Sequence, residues 1–115
     1  MIQIDNLSDD ADQTTEVVLD DGSVVQFEFN FLPAVQLWMM NVTYGSFQAN
    51  GITLVSHPNI LREFRNNIPF GLALTSADGF DPLDISDFIS GRIVLYVLTQ
   101  SDVADLEAST FGVGA

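Results

Sequence analysis

The chain has 115 residues, near the commonest single-domain size, so one hydrophobic core is expected and two of ordinary dimensions are excluded. Residues of the AVILMFWYC set make up 47% of it, nine of them phenylalanine, which supplies a core and argues against disorder of the whole. Sixteen acids against three arginines, without lysine, give a formal charge of −13, which repels nucleic acid and favours partners with basic contact surfaces.

The chain contains no cysteine, which removes disulfides, thiolate metal sites and cysteine nucleophiles together. Met1 to Asp5 lacks the cationic start and apolar run of a signal peptide, and no apolar run reaches the roughly 20 residues of a membrane span. A protein folded in a cytoplasm, or in an object assembled there, is expected.

Residues 1–12 read as a short arm or edge strand, carrying Ile2 and Ile4, that leads into a flexible acidic linker. A single β-rich domain is expected over 13–100. It opens with a β-branched strand, Thr14 to Leu19, reversed by Asp20-Asp21-Gly22. Val25, Phe27, Phe29 and Phe31 then alternate with Gln26, Glu28 and Asn30, the clearest strand signature in the chain.

Pro33 closes that strand, and Val35 to Tyr44 runs apolar on both faces, as does Ile93 to Leu98. Strands of this kind need cover on two sides, from barrel closure and a local helix or from another subunit. Tyr44-Gly45-Ser46 and Asn50-Gly51 bracket Phe47 to Ala49, and a tight hairpin is expected there before Ile52 to Val55. Pro58 then fits the first turn of an α-helix reaching about Asn67, with Ser56 or His57 as cap and Ile60, Leu61, Phe64 and Ile68 as its buried stripe.

Pro69 and Gly71 stop the helix, Leu72 to Ser76 reads as a short strand, and Asp78-Gly-Phe-Asp-Pro82 as a turn-rich loop. Residues 101–115, rich in Asp, Ala, Ser and Gly, read as a flexible tail that orders on docking. The expected fold is therefore mainly β: a small antiparallel barrel or sandwich with one short α-helix.

Chemistry-bearing motifs are sparse. His57 is the single histidine, and a loop or cap role suits it better than catalysis. Phosphate loops, nucleophile elbows and dinucleotide fingerprints are absent from the sequence, and no cofactor is implied. Asp78, Asp81, Asp84 and Asp87 recur every third residue and offer hard oxygen ligands for calcium, but their spacing departs from the standard calcium loop. A solvated loop, with Asp84 or Ser86 capping a helical turn, is the simpler reading.

Arg62 and Arg65 form the one basic spot, available to a partner's carboxylate or to the chain's own acids. On a strand, one of Met39 and Met40 must face away from the core, so these two, with Phe111 of the tail, complete the candidate partner-contact residues.

Five segments carry a resemblance: Leu37-Trp38, Gly51-Ile-Thr-Leu-Val55, Asn59-Ile-Leu-Arg-Glu-Phe64, Phe70-Gly-Leu-Ala-Leu74 and Ile89-Ser-Gly-Arg-Ile-Val-Leu-Tyr-Val97. In this order and spacing, across roughly Gln13 to Leu98, the chain resembles the small plug proteins of bacteriophage baseplates, including those of cyanophage contractile tails. The resemblance implies a compact β-barrel or sandwich near the central hub, oligomeric in the assembly, that links spike or tube components to their surroundings without catalysis. The acidic lead-in, the Gly/Ala-rich tail and the scarcity of arginine depart from that pattern, and they bear on the docking contacts. Two other functions fit the composition: a small β-barrel that binds a ligand or peptide in an aromatic cavity, and an acidic decoy for a nucleic-acid-binding protein. The decoy needs acids in register along one face, whereas most here fall in turns.

Overall fold

Alternation along Val24–Leu32 has the result that period two requires: Val25, Phe27 and Phe29 are fully buried, while Gln26 and Glu28 face water. This strand, β3, pairs antiparallel with β2 (Asp12–Val18) and β4 (Leu37–Tyr44), and β4 pairs with β5 (Phe47–Thr53). A second antiparallel sheet has the order β1-β7-β6, with β7 (Ile93–Leu98) between β1 (Ile2–Ile4) and β6 (Gly71–Ser76). The computed structural model describes residues 1–109. The apolar sides of both sheets contribute to one core, and Phe70, just before β6, packs on Phe27 of β3 at 6.4 Å. Of the two expected architectures, the sandwich fits.

An aromatic chain runs through this core. Trp38 of β4 lies 5.3 Å from Phe31 and 4.7 Å from Phe88, and Phe88 lies 5.9 Å from Phe29, ring centre to ring centre. The fully buried indole must find a partner for its N–H. Nε1 donates to the carbonyl of Asp84 at 3.0 Å, which ties β4 to the long β6–β7 connection.

The α-helix expected over Pro58 to Asn67 is replaced by a single 3-10 turn, Arg62–Phe64. The segment's first half is drawn out beside β6, where His57 and Leu74 form a bridge and the Ile60 N–H donates to the Leu72 carbonyl. The rest of the segment before Pro69 closes as that 3-10 turn and the turn residues 65–67 after it. Asn59 holds the junction, its buried Oδ1 accepting from the N–H groups of Leu61 and Leu72, each at 3.1 Å. A Cβ on Gly71 would stand 2.6 Å from that oxygen, so glycine is required there for close approach.

The α-helix of the structure is α1, Gln100–Ser109, within the stretch expected to be a mobile tail. Thr99 and Asp102 cap it reciprocally: the Asp102 N–H donates to Thr99 Oγ1 at 3.2 Å and the Thr99 N–H to Asp102 Oδ2 at 3.0 Å. Leu106 of α1 lines a cleft of about 350 Å³ with Pro58, Ala73 and Leu98. Leu98 and Ala73 are buried although they stand apart from the main core, so α1 supplies part of the second cover that β7 needs.

Residues 2–4, expected as arm or edge strand, form an edge strand on β7, with Ile4 in the core. The hairpin turn between β4 and β5 is Gly45-Ser46. Asn50-Gly51 makes no turn; it lies inside β5, opposite an irregularity in the β4 register. Gly51 has a φ of 73° there, and its N–H donates to Asn41 Oδ1 at 2.8 Å, so a turn-type dipeptide serves as a bulge. The second face of β4 proves mixed, with Met39 between polar neighbours and Asn41 donating to Glu28 at 2.7 Å.

Candidate functional site

Strand directions give the sandwich two distinct ends. The β2–β3 turn, Pro69 and the start of α1 meet at one end, around a cleft of about 250 Å³. At the other lie the β1–β2 linker, the β3–β4 turn and the β6–β7 connection, residues 77–92. The linker is fastened there by the Phe31 N–H donating to the Ala11 carbonyl at 2.7 Å, and residues 3–7 share a cleft with Phe88 and Gly91.

Connections of more than about 12–15 residues without regular structure are uncommon in small domains and are usually functional or disordered. This one is ordered around Arg92. Its guanidinium donates five hydrogen bonds: Nε to Asp87 Oδ1, Nη2 to Asp87 Oδ2 and to the Asp81 carbonyl, and Nη1 to Asp78 Oδ1 and to the Phe80 carbonyl, all between 2.7 and 3.1 Å. Every donor of the guanidinium is thereby used. Asp87, buried beneath, also accepts from the N–H groups of Leu83 and Asp84.

Burial opposes ionisation of the Asp87 carboxyl, but the Arg92 guanidinium and the two backbone N–H donors outweigh it and hold its pKa below the ordinary aspartate value. Asp78 is also lowered, chiefly by the Phe80 N–H and the Ser76 hydroxyl. Asp87 in turn drives the Arg92 pKa upward.

The four aspartates considered as calcium ligands are divided by this arrangement. Asp78 and Asp87 share Arg92, Asp81 accepts from the Ser56 N–H at 2.8 Å, and Asp84 accepts from the Ser86 hydroxyl at 3.2 Å. Among the described residues no group of three or more potential ligands is gathered on one point. An internal cation stands between buried Asp87 and exposed Asp78.

Arg62 and Arg65 both turn toward Glu107 of α1. Arg62 Nε donates to Oε2 at 2.8 Å, and Arg65 Nε stands 3.1 Å from Oε1, an ion pair whose angle falls short of a hydrogen bond. Glu107 is the one buried residue of α1, so the two arginines latch the helix to the 3-10 turn. Met40 lies in the core with no exposed surface and offers a partner nothing, whereas Met39 is half-buried on the outer face. Phe111 lies outside the described residues. His57 Nδ1 accepts from the Asn59 N–H at 2.9 Å, a local turn contact.

Arg92 and Glu107 carry no functional motif in the sequence. The signal for Arg92 was its isolation after four aspartates; that for α1 was Thr99-Gln-Ser-Asp102, a capping-box spacing. A family model described as "Cyanophage baseplate Pam3 plug gp18" matches residues 1–100. The chain belongs to this plug family. No curated protein matches it. The match spans both sheets and the whole Arg92 loop and ends where α1 begins.

Two outcomes test this geometry. Arg92→Met leaves Asp87 buried without its partner and costs about 3–5 kcal/mol in urea unfolding at neutral pH. Because the folded pKa of Asp87 is depressed, its contribution is present above the unfolded value of about 4 and is lost as pH falls through the lower folded value, so the gap between wild type and variant narrows in acid. An unchanged neutral midpoint, or a gap indifferent to acid, contradicts the assignment. Glu107→Ala frees α1: amide exchange of residues 103–109 accelerates while β3 and β7 stay protected, and unaltered helix protection would show that the latch is idle.

Proposed function

We propose that this chain is a structural plug of a phage tail baseplate, acting near the central hub through contacts with hub, spike or tube components and without a catalytic step. The family match over residues 1–100 carries this reading. The structure supports it physically: among the described residues five of the eight exposed large apolar side chains lie at one end of the sandwich. Virion assembly in a host cytoplasm, with several copies per baseplate, belongs to the same proposal.

A ligand-binding module fits less well, because the clefts described above lie at the periphery and the aromatic rings of the core pack against one another. No described helix is long and apolar enough to cross a membrane.

The test is co-expression with the hub, spike and tube proteins of the same phage, followed by size-exclusion chromatography. The chain is expected to elute in a complex with at least one of them. Elution as a free monomer from every mixture would refute the proposal.

A further inference from the structure

Among the described residues eight large apolar side chains are exposed, and five of them lie at one end: Leu32 at the last position of β3, Val35 in the β3–β4 turn, and Phe80, Leu83 and Ile89 in the Arg92 loop. Both segments lie at the same end of the sandwich, since Trp38, which follows the turn, bonds to Asp84 and packs on Phe88 of the loop. The loop's three are well out in solvent: Phe80 is 67% exposed, Ile89 61% and Leu83 46%. Scattered single apolar residues on a surface need no explanation; a concentration on one end does.

The backbone beneath them is fixed. Arg92 holds the carbonyls of Phe80 and Asp81, Asp87 holds the N–H groups of Leu83 and Asp84, and the Ser90 N–H donates to the Ser86 carbonyl beside Ile89. Side chains presented on a pinned loop lose little backbone entropy on docking, which is how a small surface gains affinity.

The charge around them has one sign. Asp9, Asp10, Asp12, Asp81 and Asp84 are exposed at this end, and its one arginine has every donor engaged within the chain. The other two arginines pair with Glu107 at the 3-10 turn. A partner facing this end therefore meets apolar side chains in an acidic field with no cation left to offset it.

From this we infer that the Arg92 loop, with the β3–β4 turn beside it, is the plug's docking surface, and that its occupant is a protein face with apolar pockets ringed by lysine or arginine. The inference rests on the proposed baseplate role and names the surface that performs it. Phe80, Leu83 and Ile89 enter the pockets, while Asp81 and Asp84 face the basic rim. Apolar contact supplies most of the affinity, and the charges supply orientation and association rate.

The probes are the hub, spike and tube proteins of the same phage, each purified singly, with binding measured by calorimetry. Wild type binds at least one, and raising sodium chloride from about 0.05 to about 0.5 M weakens it. The variant Phe80→Ser/Leu83→Ser/Ile89→Ser melts within about 3 °C of wild type, because it alters exposed side chains alone, yet binds at least about tenfold more weakly. Asp81→Asn/Asp84→Asn weakens binding and flattens the salt dependence, while Val18→Ser/Val24→Ser, at the opposite end, changes neither. Undiminished binding by the triple serine variant, or equal loss in the Val18/Val24 control, overturns the surface and leaves the baseplate role standing. Wild type that binds none of the probes overturns both.

Discussion

A single guanidinium organises one end of this sandwich. Without Arg92, Asp87 would be a buried carboxylate with two backbone donors and no counter-charge, the Asp81 carbonyl would lose its guanidinium donor, and that of Phe80 would keep only the Ser76 hydroxyl. The connection would keep Trp38, Phe88 and local contacts such as the Ser56 N–H on Asp81, but would lose the one group that joins residues 78, 80, 81 and 87. The acids that make the loop resemble a cation site are the means by which it is tied to an internal cation. Its order thus comes from the chain's own side chains and backbone.

Charge and cover divide the rest of the surface. The excess of apolar strand area expected from β4 and β7 is smaller than sequence alone indicates. The outer face of β4 is threaded with polar pairs such as Asn41 with Glu28, and the outward side of β7 is partly roofed by α1. Among the described residues, five of the eight large apolar side chains that remain exposed lie outside the strands. All three arginines are engaged with the chain's own carboxylates, so the outward electrostatics are almost wholly acidic.

How much of this was legible follows from which interactions are local. The alternation of β3, the β2–β3 turn and the apolar character of β7 depend on neighbours in sequence, and each forms where the pattern places it. Pro58 to Asn67 has a sound helical stripe, but its first half is captured by the edge of β6, a contact between residues far apart in the chain. Asn50-Gly51 carries turn chemistry and became a bulge because β4 continues alongside it. The capping pair Thr99 and Asp102 was readable, whereas the closing contact of α1, Glu107 on Arg62 and Arg65, joins residues 45 and 42 positions apart and leaves no periodic trace. Arg62 and Arg65 were legible as a basic spot, and only the fold reveals that their acid lies within the chain.

Membership of the plug family and the pinned, apolar-tipped loop meet in one claim: this end of the sandwich is the one turned toward neighbouring proteins. The most direct test is a cryo-electron microscopy structure of the assembled baseplate. The account predicts Phe80, Leu83 and Ile89 buried against another protein, with lysine or arginine of that protein beside Asp81 and Asp84 and the Arg92 knot intact. A baseplate in which residues 77–92 face solvent, while the outer face of the four-stranded sheet or α1 makes the contacts, would contradict it.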